Sequence, residues 1–293
     1  DIVGITAAMM RPVGLGPMHE AYPGRVIDVG IAEAEAVASA AGMAYQGAHP
    51  VVALYATFLN RGFDQLLMDV ALHRAGVTVV LDRAGVTGAD GASHNGVWDI
   101  AMCSMIPGLR LAAPRDEQTL RARLREALDV DDAPTVIRYR KGSLPEPMPA
   151  LRSVGGVDIL FDEAVDGSSA RVLIVGTGAC APDAIEAARR LAAAGVSVTV
   201  ADPQWMIPIC PELATLVRDY DCVVSVEDGI VQGGFGWSLR DAVAETGVPV
   251  RCLGVPQGFP EHGERAAMIA QFGFDADGIE RAARELVERI GER

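Results

Sequence analysis

Glu33 stands where an apolar stretch turns into an apolar-periodic one, with Ile31, Ala32 and Ala36 around it. A carboxylate so placed is partly desolvated and can hold or share a proton, as a general acid–base must. At a helix start it can equally do no more than favour the N-terminal dipole. Glu35 has the same plain role open to it. It lies roughly 200° round the helix from Glu33, so the two cannot act as a dyad. Residues 51–65, VVALYATFLNRGFDQ, follow. Tyr55 is expected to end a strand, and Phe58 and Arg61 then share a helix face three residues apart. Facing one cleft, they could stack on and anchor a charged heteroaromatic ligand, although Phe58 alone reads as core. The loop DRAGVTGADGASHNG at 82–96 carries Arg83, Asp90 and His94 among its glycines. Doubly wound sheets gather ligands in such loops, just beyond the carboxyl ends of strands. Finally, IRYRKG at 137–142 is basic, and Arg83 with Arg138 at neighbouring strand ends could grip an anion bidentately.

Two α/β blocks must hold these segments in place. In the first, apolar runs predict strands at 2–7, 26–29, 51–55, 77–81, 109–113 and 135–138. Three-and-four periodicity predicts helices at 33–45, 58–74 and 117–128. Such alternation predicts a doubly wound, mostly parallel sheet. The stretch 143–154 holds three prolines in SLPEPMPALR and predicts a linker. A second doubly wound block spans 155–293, with strands at 171–175, 196–201, 222–227 and 250–253. Its helices are predicted at 182–194, 211–218, 237–246 and 277–290.

The composition narrows the partners. A 293-residue chain that is 50% apolar and 22% charged suits two globular domains. No apolar run reaches the ~18 residues of a spanning helix, so no membrane partner is expected. A net charge of −14 argues against nucleic acid. Five cysteines, odd in number and without a C-x-x-C pair, point to a reducing cytoplasm rather than a disulfide framework. Arginine supplies almost all the cations, Lys141 being the only lysine. Because the chain runs from Asp1 straight into an apparent strand, it is expected to be a piece of a longer protein.

Taken together, IAE at 31–33, YATFLNR at 55–61, DRAGVTGADG at 82–91 and RYRKG at 138–142 closely resemble the 1-deoxy-D-xylulose-5-phosphate synthase family. That family is thiamine-diphosphate-dependent and transketolase-like. The resemblance implies a pyrimidine-binding domain at 1–142, N-terminally incomplete, and a transketolase C-terminal-like domain at 155–293. It implies that Glu33 hydrogen-bonds the cofactor's aminopyrimidine N1′ and that Phe58 packs on that ring. Tyr55, Arg83 and Arg138 would hold the phosphate of glyceraldehyde 3-phosphate. Arg61, Asp90 and His94 would lie near pyruvate and the reacting carbon. The implied reaction condenses pyruvate with glyceraldehyde 3-phosphate, releasing carbon dioxide. A Glu33 carboxylate on N1′ would favour the imino tautomer that takes the thiazolium C2 proton.

Two departures stand out. Ala34 and Glu35 replace the Gln-His pair common in the family, and RYRKG replaces the commoner RYPRG. Neither touches a residue assigned by the resemblance. Mg²⁺ would need a G-D-G…N motif, which is not found here; ADG at 89–91 and EDG at 227–229 lack its leading glycine. The resemblance implies that this motif, and with it the metal ligands, lies in an N-terminal domain preceding Asp1. The main alternative is a β-type subunit of a thiamine-diphosphate 2-oxoacid dehydrogenase. A weaker one is a dinucleotide-binding protein, since VGTGACA at 175–181 follows a strand, with Asp202 downstream. A non-catalytic assembly module is a third. A homodimer is expected, with the glycine-rich run at 229–237 suited to close packing.

Overall fold

The computed structural model describes residues 1–143 and 145–292. Leu144, in the stretch expected as a linker, and Arg293, at the end of the expected second domain, lie outside the described residues. The described residues of the first half form β1 (Ile2–Thr6), β2 (Val26–Asp28), β3 (His49–Tyr55), β4 (Thr78–Asp82), β5 (Arg110–Ala112) and β6 (Thr135–Arg138). The second half supplies β7 (Arg152–Val154), β8 (Val157–Glu163), β9 (Arg171–Gly176), β10 (Ser197–Asp202), β11 (Trp205–Ile207), β12 (Cys222–Ile230) and β13 (Val250–Val255).

The first sheet is ordered β11-β5-β6-β4-β3-β1-β2 and the second β13-β12-β9-β10-β8-β7. Both are mostly parallel, as the alternation predicts. Parallel strands buried on both faces read as apolar runs, and the centres of β4 and β9 are such runs. The antiparallel exceptions lie at sheet edges. Gly155 and Gly156, with φ of 55° and 88°, turn β7 back onto β8. Such left-handed pairs favour two-residue hairpins. The last three residues of the expected linker are thus an edge strand of the second sheet.

β11 belongs to the second half by sequence but pairs antiparallel with β5, in register Trp205 to Ala112 and Ile207 to Leu111. Beside it, Arg115 pairs with Asp158 at 2.8 Å and with Asp202 at 2.9 Å. One apolar core runs from Leu54, Leu81 and Ile100 through to Val223, Phe235 and Leu239, joining the two halves. Among the described residues no helix is long and apolar enough to cross a membrane.

The glycine run 229–237 serves this interior. A Cβ on Gly234 would overlap the Glu227 carboxylate, one on Gly236 would overlap Ser225 Oγ, and one on Gly229 would lie 2.8 Å from Ile100 Cδ1. Its close packing is therefore within the chain. Glu227, fully buried, accepts the N–H groups of Phe235 (2.8 Å) and Gly236 (2.9 Å), which seats the helix Phe235–Ala242. Burial pushes its carboxyl up to about 7, against those donors. Since the group otherwise ionises near 4.5, the folded state holds an extra proton between about pH 4.5 and 7. Raising the pH through that window should lower the melting temperature. Glu227→Gln should flatten that part of the profile, as read by thermal unfolding across the window; an unchanged slope would mean other groups cause it.

Candidate active site

β3 ends at Tyr55, and the chain then tightens into a 3₁₀ turn, Ala56–Arg61, where an α-helix was expected from residue 58. Three residues per turn place side chains at i and i+3 one above the other. Arg61 accordingly sits with its guanidinium carbon 5.0 Å from the Phe58 ring centre, while Tyr55 and Phe58 stack at 6.1 Å. Gly62 lets this turn lie on the helix Glu33–Ala44. A Cβ there would come within 2.9 Å of Val37 and 3.2 Å of the Glu33 carbonyl.

That approach brings Arg61 to 3.6 Å from the Glu33 carboxylate. Glu33 is only 3% exposed, whereas Glu35 faces solvent on another side of the helix. Among the described residues the Glu33 carboxylate accepts no hydrogen bond, and Arg61 is the charged group beside it. His94 closes the opposite wall. Its ring meets Phe58 edge-on at 5.6 Å, its Nδ1 is 2.9 Å from Ser93 Oγ, and Thr57 Oγ1 donates to the Ser93 carbonyl at 2.8 Å. Phe58, Arg61 and His94 thus line one open cleft, which Phe259 borders from the second half. A mostly buried carboxylate and an aromatic ring, both within reach of Arg61, fit an aminopyrimidine. Among the described residues no group of three His, Cys, Asp or Glu side chains is placed to hold a metal ion.

A second cluster lies against Tyr55. Arg83 stacks on its ring at 4.1 Å and reaches Asp90 at 3.2 Å. Lys141 Nζ lies 2.6 and 2.8 Å from the two Asp90 oxygens. The Lys141 ammonium, helped by Arg83 and His94, holds the Asp90 carboxyl below its usual range. Arg83 itself has φ of 60°, and its N–H donates to Asp82 Oδ1 at 2.7 Å. A left-handed arginine is backbone strain of the kind that gathers at functional sites.

Arg138 is not part of this cluster, contrary to expectation. It is 4% exposed; Nε and Nη2 donate to the Asp99 carboxylate at 2.7 and 3.2 Å, and Nη2 also donates to the Asp228 carbonyl at 2.8 Å. Still inside β6, it points to the sheet face covered by the helix Asp99–Ser104 and the second half. Lys141, three residues past the strand, reaches Asp90 instead. The signal available for it was its place in the same RYRKG run as the chain's only lysine.

The glycines of the VGTGACA turn serve close packing within the chain. A Cβ on Gly178 would lie 2.9 Å from both Ala113 Cβ and its carbonyl oxygen, and Gly176 packs on Ala184. Asp202 is consumed by Arg115 and by the Gln204 N–H.

The family model described as the pyrimidine-binding domain of transketolase matches residues 1–147, and the transketolase C-terminal domain model matches 164–279. A 1-deoxy-D-xylulose-5-phosphate synthase from Cutibacterium acnes is 52% identical over 292 residues, covering 99% of this chain and 46% of that protein. The 1-deoxy-D-xylulose-5-phosphate synthase 2 of Kitasatospora griseola is 52% identical over 98% of this chain and 46% of its own length. The chain thus spans about half the length of the curated relatives it matches. A solved structure titled "Split gene transketolase, inactive beta4 tetramer" superposes with a TM-score of 0.84 at 28% identity, covering 98% of this chain and 92% of that one. With both domain models matched in order along a fold of this kind, the chain belongs to the transketolase family.

Proposed function

We propose that this chain takes part in condensing pyruvate with D-glyceraldehyde 3-phosphate, with loss of CO₂, to 1-deoxy-D-xylulose 5-phosphate. That reaction is the first step of the non-mevalonate route to isoprenoids. One observation carries the reading: the Arg83–Asp90–Lys141 cluster lies beside Tyr55, which stacks on Phe58 in the wall of a cleft whose Arg61 meets Glu33. An anion seat adjoins a ring seat. The matches to synthases at 52% identity favour this reading over a 2-oxoacid dehydrogenase subunit or a dinucleotide-binding protein.

In this reading residues 1–142 form the pyrimidine-binding domain and 155–293 the C-terminal one. When bound, thiamine diphosphate supplies a nucleophilic carbon and an electron sink for decarboxylating a 2-oxoacid. Glu33 accepts a hydrogen bond from the aminopyrimidine and fixes its proton distribution, with Phe58 packing on the ring. Tyr55, Arg83 and Lys141 hold the aldehyde's phosphate, which competes with the Asp90 carboxylate for both cations. Arg61 faces the pyruvate carboxylate. His94, with Asp90 on the same loop, orients the aldehyde and passes a proton to its oxygen. The diphosphate and Mg²⁺ fall to residues elsewhere in the assembly. We further propose a cytoplasmic homodimer, supported by five free thiols and by exposed Met105, just past the helix Asp99–Ser104, and exposed Trp237 on the neighbouring helix Phe235–Ala242. Neither nucleic acid nor a membrane is a partner in this reading.

The test is a holoenzyme assay with thiamine diphosphate and Mg²⁺, following labelled pyruvate by NMR. We expect 1-deoxy-D-xylulose 5-phosphate to form only when the phosphorylated aldehyde is present. By analogy with the inactive β assembly, this chain alone should show no turnover. Acetyl transfer to lipoamide without the aldehyde would instead support the dehydrogenase reading.

A further inference from the structure

The loop 82–96 carries Asp90 and His94, yet its base is held from the other half of the chain. Asp228, fully buried at the end of β12, accepts the Val86 N–H on Oδ1 at 2.9 Å. Its other oxygen takes Arg265 Nη2 at 2.8 Å, and Arg265 Nη1 donates to the Val86 carbonyl at 2.8 Å. One acid–base pair therefore satisfies both backbone groups of a single loop residue, as a neighbouring strand would. The contact is close enough to dictate sequence. A Cβ on Gly85 would overlap the Asp228 carboxylate, and one on Gly88 would lie 2.8 Å from the Gly263 carbonyl.

Around this fork the loop is anchored again. Asn95, fully buried, accepts the Thr87 N–H at 2.8 Å and donates to the carbonyls of Gly91 and Pro260, both at 3.2 Å. Val86 and Val97 pack in the second half's own core with Ile174, Val226 and Val255. A segment with left-handed glycines at 85, 88 and 91 has little stiffness of its own. Fixed geometry at its tip has to be imposed from outside.

We propose that Asp228 and Arg265 are positioning residues that hold the loop so that Asp90 and His94 meet the substrate. In this proposal they act through the loop rather than on the substrate itself. The inference rests on the proposed roles of Asp90 and His94, but the clamp itself is testable without them.

The experiment uses the holoenzyme with Asp228→Asn, Asp228→Ala and Arg265→Lys. Asn keeps an acceptor for Val86 and loses the charge facing Arg265; Ala leaves the Val86 N–H unpaired. Hydrogen exchange in residues 84–96 should accelerate in the order Ala, Asn, wild type, by ~10-fold or more for Ala, with β9 and β10 unchanged. kcat should fall in the same order, ~10- to 100-fold for Ala, at a temperature where every variant is folded, with cofactor affinity within about two-fold. Arg265→Lys, which keeps the charge pair but not the fork, should fall between wild type and Asp228→Ala. Unchanged loop exchange, or exchange raised everywhere alike with kcat tracking the folded fraction, would overturn the proposal. Faster loop exchange in variants of a protein whose wild type makes no 1-deoxy-D-xylulose 5-phosphate would leave the clamp standing and sink the functional reading instead.

Discussion

In the holoenzyme, Glu33→Ala and Glu33→Gln should slow exchange of the thiamine C2 proton by ~10²–10⁴-fold, the span of a lost acid–base contribution. Folding should be little affected. The charged neighbour left behind, Arg61, is 54% exposed and can turn to water. Glu35→Ala is the control: its side chain leaves the same helix into solvent, and it should change exchange less than about three-fold. Acid-quenched hydrogen–deuterium exchange read by NMR measures the step itself, apart from turnover. Normal exchange in both Glu33 variants, or equal damage from Glu35→Ala, would show that another carboxylate tunes the ring.

The second large effect separates two basic residues three positions apart. Arg83→Ala and Lys141→Ala should each raise KM for the phosphorylated aldehyde ~10- to 100-fold, the worth of a charge-assisted contact, with KM for pyruvate changed far less. Arg138→Ala should act on folding. It strands the buried Asp99 carboxylate, a loss of about 3–5 kcal/mol that lowers the melting temperature before it touches substrate selectivity. Steady-state kinetics on both substrates and thermal unfolding decide the matter. A stable Arg138→Ala enzyme with a selective aldehyde defect would restore the phosphate role to that residue.

Most of the sheet architecture was legible because buried parallel strands are written as unbroken apolar runs. What stayed hidden had weaker patterns. β8 mixes Val, Ile and Leu with Asp158, Asp162 and Glu163, and β11 is three residues long, so neither stands out by periodicity. Phe58 and Arg61 do meet, although through a 3₁₀ turn rather than the α-helix that the spacing suggested. That Lys141, and not Arg138, meets Asp90 has a similar origin. Composition marks a basic run, but where β6 ends decides which cation leaves the sheet, and strand ends are set by tertiary contacts. The Asp228–Arg265 fork had no local signature, because its partner residue lies 142 positions away.

β11 gives the chain's punctuation a different meaning in evolution and in protein engineering. The proline-rich stretch after residue 142 looks like a seam at which modules could be exchanged. The seam in space runs elsewhere, because the first sheet is completed by a strand encoded more than sixty residues past it. A chimera joined at the prolines would offer the host sheet a foreign edge and would also break the match between Arg115 and its two aspartates. Parents for such recombination have to agree at Leu111, Ala112, Trp205 and Ile207 before they need agree anywhere in the active site.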